Sequence, residues 1–121
     1  MERSNYEKAC IERVLALDDS LGTVRNEAPK EISISESIKQ YTGALKGLNF
    51  EGCPPKFANA FKDHRQAWEE ILIVTDKYPK MRGELHEVFD SISVSKDSVE
   101  FKTRLDKIWA TWEMVDDQSK P

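Results

Sequence analysis

The chain has no long apolar run. ILIV at 71–74 and VLAL at 14–17 are the longest stretches, far short of the ~20 residues a spanning helix needs, so no membrane span is expected. MERSNYEK at the start has no apolar core either, so it does not read as a signal peptide. A mature fragment whose leader was replaced by Met1 stays open. Glycine and proline are scarce, five of each in 121 residues, which suits long helices better than a turn-rich β fold. A basic surplus is missing as well. The formal net charge is −4, whereas phosphate binding needs a concentrated positive surface. Lys77, Lys80 and Arg82 do cluster, but Asp76 and Glu84 flank them and the group reads as a solvated face. No nucleic-acid partner is expected.

What is present is helix. About 39% of residues are hydrophobic and 33% charged, an ordinary globular balance for one domain over 1–121. Three capping boxes, in which a small polar side chain and a Glu three residues on bond each other's backbone N–H, mark helix starts at Ser4–Glu7, Ser33–Glu36 and Asp97–Glu100. Pro54-Pro55 opens a fourth helix, since proline is tolerated in a first turn.

Each start leads into an apolar stripe of helical period. The first is Tyr6, Cys10, Val14, Leu17, Leu21 and Val24, with Gly22 able to end it early. The second is Ile38, Tyr41, Leu45 and Leu48, and the third Phe57, Phe61, His64, Trp68, Ile71, Thr75 and Tyr78. The last is Phe101, Leu105, Ile108, Trp112 and Val115, followed by a polar tail at about 116–121. ISIS (32–35) and SISVS (91–95) are too short for strands and read as connections.

Residues 79–92 are ambiguous, because Met81, Leu85, Val88, Phe89 and Ile92 continue the third stripe almost in phase. Pro79 then marks either a kink or the first turn of a separate helix. The preferred expectation is an all-α, antiparallel up-down four-helix bundle whose third helix is kinked or broken at Pro79.

The two cysteines, Cys10 and Cys53, are far apart in sequence. If the first two helices fold back near residue 29, residue 10 lies level with residue ~48, and Cys53 emerges at the same end. A disulfide is therefore expected, and with it an oxidising compartment, the periplasm or cell surface. Two buried thiols in the cytoplasm are the alternative.

Tyr41 and Leu45, then CPP-x-F-x-x-A-F-x-x-H-x-x-A-W over 53–68, then A-T-W-E at 110–113 form an order that resembles small helical bacterial proteins, exported or lipoprotein-like, with no assigned activity. The likeness spans Ile38 to Trp68 best and Trp109 to Val115 less closely. It implies an extracytoplasmic home and no catalytic residues.

His64 is the one histidine inside a stripe. A di-iron bundle needs Glu-x-x-His, but Phe61 and Gly83 precede His64 and His86 by three. The haem motif Cys-x-x-Cys-His is absent, as are a Gly-rich phosphate loop, a nucleophile elbow and a zinc-binding His pair. His64 is expected to be a core residue hydrogen-bonded to a neighbour, Tyr41 being a candidate. Trp68 and Trp112 read as core. Trp109 lies beside the stripe at the core edge, where with Phe101 or Phe89 it would form an apolar surface patch.

The functional expectation is a non-enzymatic binding or interaction module that carries no cofactor and takes a protein or small apolar ligand. The alternative is a haem- or metal-carrying bundle using His64.

Overall fold

A computed structural model describes residues 3–120. These form α1 (Asn5–Glu27), a 3-10 turn (Ala28–Lys30), α2 (Ile34–Lys46), α3 (Pro55–Glu70), its one-turn continuation α4 (Leu72–Thr75), α5 (Leu85–Ser93) and α6 (Ser98–Ser119). α3 and α4 are one rod bent by 17° near residue 71, so the protein is a bundle of five helices with no strand among the described residues.

The expected fourfold count is corrected by α5. The rod ends at Thr75, before Pro79 rather than at it, and α5 follows as a separate helix. Its start is a capping box that the sequence reading missed, with the Glu84 N–H donating to the Glu87 side chain at 2.9 Å. Gly83, at φ +146°, sends its N–H to the carbonyl of Pro29 at 3.2 Å and so ties this corner to the end of α1.

α3 and α6 run antiparallel, because their contacts descend along α6 as they climb α3 and the segment beyond it. His64 meets Thr111, Glu70 meets Lys107, and Tyr78 meets Asp97. α1 packs on α2, α2 on α3 and α3 on α6, but there is no extended packing between α6 and α1. α5 instead touches α1, the 3-10 turn and α6. The ring of helices is therefore closed by α5 at one end and left parted below it.

Other local expectations shift for identifiable reasons. The Ser4 box forms in full, and Ser33 accepts from the N–H of Glu36. Asp97 makes no side-chain cap, because its carboxylate accepts from Tyr78 and from Lys77 Nζ instead. Ile34 and Ser35 belong to α2 and Ser91–Ser93 to α5, so the two presumed connections are partly helical. The presumed tail is helical as far as Ser119, with Lys120 paired to Asp116 at 3.2 Å; Pro121 lies outside the described residues.

The third stripe is buried as the spacing predicts, from Phe57 through Thr75. The first is buried only in part: Cys10 and Val14 are core and Leu21 packs against it, but Tyr6, Leu17 and Val24 are exposed, while Ile11, Asp18 and Gly22 face inward instead. α1 also runs straight through Gly22. The Cβ position there stands 3.4 Å from Nη2 of Arg25, so the arginine side chain lies across the glycine.

Cys10 and Cys53 are joined by a disulfide, Cα to Cα 5.2 Å, which pins the N-terminal part of α1 to the loop before α3.

Candidate functional site: the cleft between the first and last helices

Where α1 and α6 part, a cleft of about 590 Å³ opens, inside the range of small-molecule sites. Its floor is Tyr41, His64 and Trp68; Asp18 and Arg25 come from α1, Phe89 and Asp90 from α5, and Leu105, Trp109 and Trp112 from α6. All three tryptophans of the chain line it.

His64 is buried in that floor with both ring nitrogens engaged. Trp68 Nε1, which can only donate, meets Nε2 at 3.2 Å. Nδ1 meets the Thr111 hydroxyl at 2.9 Å, and that hydroxyl donates to the carbonyls of Lys107 and Ile108. The pattern defines a neutral ring with its proton on Nδ1. Burial, and after it the charge of Arg25, pulls its pKa down to about 4. Tyr41 is not its partner, contrary to expectation. The Tyr41 hydroxyl donates instead to the buried Asp18 carboxylate.

Asp18 is pushed above the usual carboxylate range by burial, against the lowering effects of the Tyr41 bond and the Arg25 charge. The Tyr41 phenol is raised, by burial first and then by Asp18.

Arg25 carries the site's positive charge. Its guanidinium carbon lies 4.2 Å from the ring centre of Trp68 and 4.4 Å from that of Tyr41, a double cation–π contact. Nε and Nη2 both donate to Asn26 Oδ1, at 3.2 and 3.0 Å. The backbone carbonyl of Arg25 accepts from Ser37 at 2.8 Å, which fixes this turn of α1 on α2. Burial lowers its pKa, an effect that Tyr41 and then Asp18 oppose.

The residues singled out from sequence fall in different places. His64 is in the cleft floor, and His86 reaches the same cleft because the chain folds back through α5. Among the described residues no group of three or more His, Cys, Asp or Glu side chains is placed to hold a metal. Trp109 is 61% exposed, but Phe101 is fully buried against Phe89, so the expected patch pairing Trp109 with Phe101 does not form.

Asp18 and Arg25 were missed, and Gly22 was read as a possible helix end and not as part of a site. A signal existed: Ile11, Val14, Asp18, Gly22 and Arg25 follow one another at spacings of three, four, four and three, a single helix face that turns from apolar to polar halfway along.

No protein-family model, curated protein or solved structure matches this chain.

Proposed function

We propose that this chain is a non-enzymatic binding module whose site is the cleft between α1 and α6. The observation that carries the reading is that the cleft has aromatic walls while its buried ionisable groups are already committed. His64 has no nitrogen without a partner, and Asp18 holds the Tyr41 proton donor. A nucleophile or general base needs an available lone pair within reach of substrate; a binding pocket needs concave apolar surface and a few fixed polar groups. This cleft fits the second description.

The alternative, a haem or metal ion on His64, requires giving up the Trp68 or the Thr111 bond within a buried floor, and it gains support from no other residue. The disulfide is consistent with an extracytoplasmic home, and no described helix is long and apolar enough to cross a membrane.

The test uses anilinonaphthalenesulfonate, an environment-sensitive dye excited by energy transfer from tryptophan. Saturable one-to-one binding is expected, and Leu105→Trp, which fills the cleft from α6, abolishes it. No binding, or binding unchanged by that substitution, rejects the reading.

A further inference from the structure

Resting on the reading of the cleft as a binding site, we propose that its ligand is a small organic monocarboxylate with a flat apolar body, its carboxylate held by Arg25. Among the described residues no carboxylate lies within ion-pair distance of Arg25, although four acidic residues, Asp18, Glu27, Glu84 and Asp90, line the same cleft. Asp18 is close enough to sense the Arg25 charge but is bonded to Tyr41. Glu27 and Glu84 share Lys30, at 2.6 and 3.4 Å, and Glu84 also meets His86 at 3.2 Å.

The guanidinium is fixed in advance. It lies across Gly22, over two aromatic rings, with Nε and Nη2 on Asn26. A cation partly stripped of water and held rigid binds a carboxylate strongly, because little solvation or rotamer freedom is left to lose. The apolar remainder of such a ligand meets Phe89, Leu105, Trp109 and Trp112.

Charge also limits the ligand. Arg25 is the only lysine or arginine among the described lining residues, and the rim that surrounds it is acidic. One negative charge is therefore accommodated, while the second charge of a phosphate monoester finds no further lysine or arginine in the lining and faces Asp90. Gly22 leaves the guanidinium room to lie flat on α1, a Cβ there already standing at contact distance, 3.4 Å, from Nη2.

Calorimetric titration of the intact, disulfide-bonded protein with four probes tests this. 1-Naphthoate is expected to bind at least ten-fold more tightly than 1-naphthylmethanol, and more tightly than 1-naphthyl phosphate. Arg25→Gln should remove that ten-fold advantage, so that 1-naphthoate and 1-naphthylmethanol bind alike to the variant, with Arg25→Lys, which keeps the charge but not the fork, lying between. Each variant is first checked for the wild-type melting transition.

Equal binding of 1-naphthoate and 1-naphthylmethanol, or tighter binding of the phosphate, overturns the monocarboxylate and leaves the binding site standing. Binding of none of these three rejects both. An acetylated tripeptide ending in phenylalanine is the fourth probe. If it binds more tightly than 1-naphthoate, the carboxylate is that of a chain terminus and the small free acid is rejected.

Discussion

Trp68 donates its indole N–H to Nε2 of His64, one turn earlier on the same helix, at 3.2 Å. That bond decides what the histidine can be. A protonated His64 would turn Nε2 into a second donor facing the first, inside a buried floor already close to the Arg25 charge. His64 is thus held neutral, and its role is to join α3 to α6 through Thr111.

The consequence for pH follows from the direction of the shift. The folded-state pKa is about 4 against an ordinary 6.5, so between those values the unfolded chain holds the extra proton. The His64 contribution is complete above pH 6.5 and is lost as the pH falls towards 4, by about 3 kcal/mol in all. Asp18, raised instead of lowered, acts in the opposite sense, its share fading as the pH rises past the ordinary carboxylate value. Urea unfolding from pH 7 to pH 4 should show a steeper acid loss for wild type than for His64→Gln; parallel curves would reject the buried neutral ring.

A second buried polar pair links α2 to the far end of the bent rod. The hydroxyls of Ser35 and Thr75 lie 2.7 Å apart, and both residues are buried. Thr75→Val alone should cost about 1–3 kcal/mol by leaving Ser35 without its partner, whereas Thr75→Val combined with Ser35→Ala should recover most of the loss. Chemical denaturation of the four proteins of this cycle measures the coupling; strictly additive losses would contradict it.

Gly52 sits at φ +90°, where a Cβ would stand 2.4 Å from the Tyr6 ring. Gly52→Ala meets two separate obstacles, a left-handed backbone and the ring, and should lower stability by roughly 1–3 kcal/mol. Tyr6 is an exposed residue, so Tyr6→Ala should relieve the second obstacle and leave the first. Melting temperatures of the single and double variants separate the two.

The disulfide spans a sequence separation of 43 residues. Closing a loop of that length stabilises by about 4 kcal/mol in the chain-entropy model. Reduction, or replacement of both cysteines by serine, should lower the melting temperature by roughly 10–20 °C. Intact mass after alkylation without reductant should show no added label; two labelled thiols would remove the bond, and with it the support for an oxidising compartment.

How much of this was legible in the sequence varies from helix to helix for physical reasons. The α3 stripe could be read directly because Phe57, Phe61, Trp68 and Ile71 are apolar and all buried on one side. The cysteine pairing followed from the fold-back of α1 on α2. α1 was misread because its inward face turns to Asp18, Gly22 and Arg25 where it meets the cleft, and apolar periodicity does not register a polar interior. α5 was only the second choice, after a kink at Pro79, because its N-cap is a glutamate, Glu84, outside the usual Ser, Thr, Asp and Asn. The candidate site lies where these two misreadings meet. A hydrophobic pattern records the surfaces that helices bury against each other, not those they leave apart.

The most direct measurement is a fluorine NMR titration of protein carrying 5-fluorotryptophan at Trp68, Trp109 and Trp112, the chain's three tryptophans, each resonance assigned by a Trp→Phe variant. With added 1-naphthoate, the Trp109 and Trp112 signals should move together and saturate with a single dissociation constant. If no signal moves, or all drift without saturating, the parting of α1 and α6 is not a binding site and the account is contradicted.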